Sequence, residues 1–275
     1  RKVVDLWGGY ADVQAARTWK NVIHDTQLQN TIAVAFSTTK AVAAVCIALL
    51  VDKGRLRYDD LVSKHWPGFA KNGKENITIG WAMSHMAGLY YLETPITEEM
   101  AMNHNLMREV IENEAPKMAP GTRSGYHVFT YGWLVDQIIR HADEKGRGIG
   151  QFLREEITQP YGIDFHVGLD VLSEGYRVAR TTPIQHLDVV KEIWHDYQVL
   201  FMLLKLLAGI TIGPLKQAIA NPAWLVLSPH CTVNNPELHT MEQASALGIG
   251  NARSLAKLFS LVYFAEEHFS ASPSC

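Results

Sequence analysis

The chain has 275 residues, of which 47% are hydrophobic and 19% are charged, and its formal net charge is −3. These values are typical of a globular protein with one large domain or two small ones, and they give no electrostatic indication of nucleic-acid binding. The three cysteines are too few and too scattered for a disulfide framework, and no Cys/His spacing resembles a zinc site, so we expect neither a metal nor another cofactor.

The first part of the chain predicts one strand and one unusually apolar helix. The segment KVVDLWGGYAD (residues 2–12) has the β-branched residues of a strand and closes on a glycine pair. Farther on, TIAVAF leads into a helix from Ser37 to about Lys53 that ends at Gly54, a typical C-terminal cap. Every residue from 41 to 51 is apolar, so we expect this helix to be buried on all sides.

The elements that follow are predicted to be helices. The apolar run of residues 199–213 contains Lys205 and is shorter than the roughly 20 residues that span a bilayer, so we interpret it as a buried helix and expect no membrane span. The sequence contains neither a signal segment nor a membrane-spanning segment that would identify the cellular compartment. Of the compartments, we weakly favour an intracellular location. Helices are also predicted over residues 77–88, with Thr78 as N-cap, and over residues 130–141. The segment GRGIGQFLREEITQPYGI predicts a helix that Pro160 ends, and residues 181–215 are predicted to be rich in helix. The last predicted helix covers residues 251–269, with Asn251 near its start.

Ser37 and Lys40 stand three residues apart where the apolar helix begins. The structural interpretation is a serine cap followed by a surface lysine. However, a cation in the first turn opposes the helix dipole, and burying it is costly unless it is paired or neutral. The functional interpretation is that a desolvated lysine has a lowered pKa and accepts a proton from a nucleophilic serine one turn away. On spacing and burial alone, both interpretations are open.

A second pair with the same spacing, Ser254 and Lys257, provides an internal comparison. It lies in a predicted amphipathic helix, where the lysine can reach water along its flexible stem. Nothing about this pair requires a functional explanation.

Three segments in order resemble the superfamily of serine β-lactamases, penicillin-binding proteins and esterases: FSTTK, ITIGWAMSHMAGL and PGTRSGYHVFTYGWLVDQIIR. VVDLWGGYAD and GIGNARSLAKLFS also match, and the similarity is closest to animal β-lactamase-domain proteins and bacterial β-lactamase-like carboxylesterases. The resemblance implies that Ser37 is the acylated nucleophile, Lys40 its proton acceptor, and Tyr126 the phenol that relays a proton. The structural alternative for Tyr126 is a buried aromatic residue with a bonded hydroxyl. His127 is a neighbour that could tune Tyr126, and His85 receives no chemical role.

The resemblance also implies an α+β fold of the β-lactamase/transpeptidase type, with helices packed on an antiparallel sheet and a helical lobe. We expect one domain over residues 1–275, with the helical lobe over roughly 55–245 and sheet-side remnants over 1–36 and 246–275. Because several of the family's strands have no counterpart in the sequence, the fold is expected to be helix-dominated and truncated at both ends.

The sequence departs from the family pattern at two motifs. In penicillin-recognising members the tyrosine motif is Tyr-x-Asn, but here the third position is Val128, which favours esters over β-lactams. The third motif, Lys/His-Thr/Ser-Gly or His-x-Gly, has no convincing match, because HTM at residues 239–241 lacks the glycine and precedes GIGNARSLAKL.

Two functions are therefore predicted. The first is a serine hydrolase that acts on a small-molecule ester or amide through an acyl-enzyme. The alternative is a catalytically impaired scaffold or binding protein, whose open helix faces a second copy could cover in a homo-oligomer.

Overall fold

The computed structural model describes residues 4–6, 8–13, 30–183, 186–211, 213–226 and 231–269, and most of these residues are helical. The α-helices are α1 (Thr39–Asp52), α2 (Val62–His65), α3 (Ile79–Met83), α4 (Glu98–Met102), α5 (His104–Asn113), α6 (Thr130–Ala142), α7 (Ile149–Leu153), α8 (Gln159–Tyr161), α9 (Val171–Glu174), α10 (His186–His195), α11 (Gln198–Thr211), α12 (Pro214–Ala220), α13 (Pro236–His239) and α14 (Ala252–Phe269). A π-helical turn, Arg154–Thr158, joins α7 to α8, and 3-10 turns lie at Phe36–Thr38, Pro67–Phe69, Gly175–Arg177 and Thr232–Asn234.

The described part of the chain contains one small antiparallel sheet. Its strands are β1 (Ala33–Val34), β2 (Phe165–Val167) and β3 (Gly248–Gly250), in the order β1-β3-β2. In the register, Gly250 lies opposite both Ala33 and Phe165. Glycine is required in β3 because a Cβ at Gly248 would lie 2.6 Å from the Thr39 side chain. The sheet can therefore lie directly against the start of α1.

The core is built around α1, which packs against α6 and α7. The inward face of α1 contributes Val42, Cys46, Ile47 and Leu50 to one large apolar cluster. The expectation of burial on all sides was wrong, because only this face is buried, the other positions are half-buried, and Ala41 is exposed. The all-apolar composition of the helix does not distinguish its core face from its partly covered face.

Several predicted boundaries are confirmed. α1 is followed by Gly54, whose φ of 68° is the left-handed conformation that favours glycine. The Asn251 side chain accepts a hydrogen bond from the Ser254 N–H at the start of α14. Thr78 caps α3 by accepting from the Trp81 N–H, but α3 ends at Met83, earlier than predicted, and His85 adopts a left-handed φ of 62°.

Three sequence predictions are corrected by the structure. Residues 4–6 and 8–12 form no strand, and residues 2, 3 and 7 of that prediction lie outside the described residues. The helical run at Pro160 ends only after Tyr161, because proline is tolerated at the start of a turn, and the left-handed Gly162 follows it. The run of residues 199–213, of which 212 is not described, is a helix but is not buried. Exposed apolar side chains on α11 include Leu200, Phe201, Met202, Leu204, Leu206 and Leu207.

Within the described ranges, no helix is long and apolar enough to cross a bilayer.

Candidate active site

Ser37 lies in the 3-10 turn that connects β1 to α1. The residues before and after this turn are hydrogen-bonded to β3. The Ala35 N–H donates to the Gly248 carbonyl at 2.7 Å, and the Gly248 N–H donates to Thr39 Oγ1 at 3.0 Å. Thr39 Oγ1 in turn donates to the Phe36 carbonyl at 2.6 Å. These bonds hold the exposed Ser37 side chain at a defined corner of the fold.

The structure brings Ser37, Lys40 and Tyr126 together. The Tyr126 hydroxyl donates to Ser37 Oγ at 2.7 Å, and Lys40 Nζ lies 3.4 Å from the same oxygen. Tyr126 comes from the loop before α6 and is 44% exposed, so the hydroxyl pair is accessible from solvent. The Lys40 ammonium position also lies 4.9 Å from the centre of the Tyr126 ring.

Lys40 is the least solvated of the three groups, with 7% exposure. Its Nζ donates to the Val128 carbonyl at 2.8 Å and to the Ser245 carbonyl at 3.0 Å. No carboxylate is among the Nζ partners that the described residues provide, and burial lowers the pKa of Lys40 to about 8. A neutral amine has two N–H donors and one lone pair. In this neutral form the two carbonyls take both donors, which leaves the lone pair for the Ser37 hydroxyl, whereas in the ammonium form the third N–H donates to Ser37 Oγ.

The Ser245 carbonyl is held in place by a buried polar network that sequence reasoning missed. Ser245 Oγ donates to the Phe129 carbonyl at 2.8 Å and accepts from the Gly132 N–H at 2.5 Å. The Gln243 side chain accepts from the Ser245 N–H at 2.7 Å and donates to the Phe129 carbonyl at 2.7 Å. The network therefore joins the segment before β3 to the first turn of α6. Its polar residues, Gln243 and Ser245, are fully buried, and two polar residues in an apolar segment are the signal that could have revealed them.

Two histidines support the loop that carries Tyr126. The His85 ring lies edge-on to the Tyr126 ring, with centroids 4.9 Å apart, and its Nδ1 accepts from the His127 N–H at 3.2 Å. The His127 ring is fully buried, with Nε2 accepting from the Leu89 N–H and Nδ1 donating to the Gly125 carbonyl. Burial lowers the pKa of His85 to about 4 and that of His127 to about 3, with the nearby Lys40 adding to both shifts. Both rings are therefore neutral at physiological pH, and His127 is a satisfied structural residue.

The second Ser-x-x-Lys pair is structurally ordinary. Ser254 Oγ accepts from the Asp164 N–H, and Lys257 Nζ donates to the Gly162 carbonyl at the surface. The same spacing thus gives a surface lysine in α14 and a buried one in α1.

The histidine of the HTM segment is a structural residue. The His239 side chain is buried and bonded to the Val233 carbonyl at 2.7 Å, which is a structural role. Over the residues that the structure describes, no strand carries the third family motif, and no cluster of His, Cys, Asp or Glu could hold a metal ion.

Comparison with known proteins assigns the chain to a family. The family model described as Beta-lactamase matches residues 1–271. The chain belongs to the Beta-lactamase family. This is a family of serine β-lactamase-like hydrolases with esterase neighbours, and the predicted β-lactamase/transpeptidase-like α+β fold is confirmed.

Among the relatives of this family member is the esterase/β-lactamase LipL of Mycobacterium tuberculosis, which is 32% identical over 178 residues, or 64% of this chain. A penicillin-binding protein homologue from Caulobacter crescentus superposes with a TM-score of 0.64 at 31% identity over 93% of this chain. A family VIII carboxylesterase superposes with a TM-score of 0.73 at 26% identity over 94% of this chain. The D-amino acid amidase of Ochrobactrum anthropi, at 18% identity, shares the fold.

The chain covers only part of each of these proteins. It spans 39% of the length of LipL, 59% of the Caulobacter homologue and 61% of the carboxylesterase. The special closeness to animal members, the truncation and the domain boundaries stay predictions.

Proposed function

We propose that the protein is a serine hydrolase that cleaves carboxylic esters through an acyl-enzyme, with Ser37 as nucleophile, Lys40 as general base and Tyr126 as proton relay. The observation that carries the proposal is the environment of Lys40. Its amine is buried between two carbonyls and faces Ser37 Oγ at 3.4 Å. Such an amine is partly neutral near pH 8 and can take the hydroxyl proton.

In the first half-reaction, a bond forms between Ser37 Oγ and the ester carbonyl carbon while the Oγ proton passes to Lys40 Nζ. The carbonyl electron pair moves onto its oxygen and gives a tetrahedral alkoxide. The tetrahedral species collapses, the carbon–alkoxy bond breaks, and the leaving alcohol takes the proton from Lys40 through the Tyr126 hydroxyl.

The second half-reaction uses the same groups with water as the nucleophile. Water attacks the acyl carbon while its proton passes to Lys40 through Tyr126. The acyl–Oγ bond then breaks, Ser37 regains its proton, and the carboxylic acid leaves.

Val128 supports an ester substrate rather than a β-lactam. The resemblance implies that an asparagine at this position helps to hold the substrate amide in penicillin-recognising members. Valine has no side-chain hydrogen-bonding group, so an amide placed there loses a partner, which costs about 1–3 kcal/mol. An ester has no N–H group to satisfy and does not incur this cost.

Covalent labelling tests the assignment. A fluorophosphonate probe should label the protein, and the label should disappear in Ser37→Ala. The matched control is Ser254→Ala, which removes the serine of the other Ser-x-x-Lys pair and should keep full labelling. Label that survives Ser37→Ala, or that maps to Ser254, would refute the nucleophile assignment.

The second candidate is a scaffold without catalytic activity. The observation that favours it is that the described residues contain no strand with the third family motif, which by resemblance supplies one oxyanion-hole donor. Losing one such donor costs roughly two to three orders of magnitude in rate. A folded protein that neither binds the probe covalently nor hydrolyses p-nitrophenyl esters would support this candidate.

A further inference from the structure

An apolar cleft of about 660 Å³ opens beside Ser37. Its lining includes Ser37, Phe129 and Ala246, and also Leu206 of α11, Ile219 of α12 and Leu225, which follows α12. Apart from Ser37, every described residue that lines the cleft is apolar. Its volume is within the range of pockets that bind small molecules.

One segment that lines the cleft is bonded to the loop between α3 and α4. The Asn221 side chain accepts from the Ile96 N–H at 2.9 Å and donates to the carbonyls of Leu92 and Thr94. The Trp224 indole N–H donates to the Ile96 carbonyl at 2.8 Å. These bonds fix both ends of residues 221–224, a segment that contributes Pro222 and Ala223 to the lining of the cleft.

The geometry of the proton-transfer groups orients an ester in this cleft. Ser37 lines the cleft, but neither Lys40 nor Tyr126 does. The leaving alcohol must face Tyr126 and Lys40 because it takes its proton from them. The acyl group is therefore on the other side of the carbonyl carbon, where the cleft begins.

We propose that the cleft binds the acyl chain of medium-length fatty-acid esters, such as hexanoates and octanoates; this inference rests on the proposed function of Ser37. A charged or amide-bearing acyl group would lose its hydration on entering the cleft. Among the described lining residues, only Ser37 has a polar side chain that could replace the lost hydrogen bonds. A linear hydrocarbon chain has no such requirement. Each methylene that enters the cleft should raise kcat/KM by up to about fourfold (~0.8 kcal/mol).

The chain-length series provides the first test. With p-nitrophenyl acetate, butanoate, hexanoate and octanoate, kcat/KM should rise along the series, by up to about 15-fold between butanoate and hexanoate. A flat or falling series would overturn the proposal. The isomers ethyl octanoate and octyl acetate test the orientation, since the octanoate should be the better substrate and the reverse preference would refute acyl binding.

Two neighbouring leucines of α11 offer a matched pair of variants. Leu206 is 46% exposed and lines the cleft, whereas Leu207 is 57% exposed and does not. Leu206→Asp should lower the octanoate-to-acetate ratio of kcat/KM by about 4- to 15-fold, the loss of one or two methylene contacts. Leu207→Asp should leave that ratio unchanged, and an equal loss in both variants would overturn the assignment. The exposed, cleft-lining Ala223 provides a second variant, Ala223→Asp, with the same expected loss as Leu206→Asp.

Binding to Ser37→Ala separates this inference from the proposed function. By equilibrium dialysis, p-nitrophenyl octanoate should bind this variant at least tenfold more tightly than the acetate. If the wild-type protein hydrolyses no ester but this binding difference is present, the proposed function fails and the cleft assignment stands. If esters are hydrolysed but the two ligands bind equally, the cleft assignment fails and the proposed function stands.

Discussion

The proposed role of Lys40 makes a quantitative prediction about pH. Burial lowers its pKa from 10.5 to about 8. At pH 7 the free amine is then about a tenth of the total, roughly 300 times more than an unperturbed lysine would provide. Since the free amine is the proton acceptor, the rate of Ser37 acylation should rise about tenfold from pH 7 to pH 9 and level off above the pKa.

The assay is the rate of fluorophosphonate labelling between pH 6 and pH 10. His85 and His127 have pKa values of about 4 and 3, so neither produces an inflection in this range. Lys40→Arg keeps a cation at every accessible pH and should label at least a hundredfold more slowly than the wild type at pH 9. A flat wild-type profile, or an inflection near 10.5 or below 6, would refute the reasoning.

The lowered pKa of Lys40 also predicts that the free energy of unfolding depends on pH. A folded pKa below the unfolded pKa means that the unfolded chain binds more protons between pH 8 and 10.5, so unfolding becomes less favourable as pH rises through this window. Relative to Lys40→Met, the wild-type free energy of unfolding should gain about 3 kcal/mol from pH 8 to 10.5, a shift of 2.5 pKa units at 1.36 kcal/mol each. Urea unfolding of both proteins at each pH measures the difference. A constant difference would show that Lys40 is not titrating in the folded state as proposed.

Three further predictions concern the surroundings of the site. Tyr126→Phe should lower kcat/KM for p-nitrophenyl esters by about a hundredfold or more without changing the circular dichroism spectrum, and a loss below threefold would contradict the relay role. A Cβ at Gly132 would lie 2.5 Å from the Ser245 backbone nitrogen, so Gly132→Ala should destabilise the fold by about 1–3 kcal/mol and slow acylation. In the control variant Gly209→Ala the new Cβ makes only ordinary contacts, so this variant should stabilise α11 by up to about 1 kcal/mol. Thermal unfolding of both variants measures the difference. Lys74 is fully buried and donates to three backbone carbonyls, so Lys74→Met should lower the free energy of unfolding by about 2–4 kcal/mol. Lys71 is exposed, so Lys71→Met should lower the free energy of unfolding by less than about 1 kcal/mol.

The sequence predicts the parts of this protein that local rules control. The position of α1, its end before Gly54 and the unusual placement of Lys40 follow from residues within one segment. Strands of two or three residues are too short to show an alternating pattern, so β1, β2 and β3 could not be recognised. The resemblance to the family, rather than any local rule, indicated Tyr126, which is 89 residues from its hydrogen-bond partner Ser37.

Other parts of the site are invisible in the sequence for a different reason. Lys40 is held by the carbonyls of Val128 and Ser245, and every residue has a carbonyl, so side-chain identity does not mark these positions. The exposure of α11 is also not predictable from composition, because an apolar helix looks the same whether or not the chain covers it. The surroundings of Lys40 and Leu206 depend on tertiary packing alone.

The two buried lysines show why geometry, rather than burial, supports a base at Lys40. Burial lowers the pKa of Lys74 and of Lys40 alike, to about 8 in each case. Lys74 Nζ has three carbonyl acceptors, from Lys71, Glu112 and Glu114, which match the three N–H donors of an ammonium group and leave no lone pair for chemistry. Lys40 Nζ has two carbonyl acceptors and one hydroxyl, and that hydroxyl can accept from the ammonium form or donate to the neutral amine. A third carbonyl placed at the Ser37 position would turn Lys40 into a structural cation, so the serine hydroxyl is what makes this lysine suitable as a base.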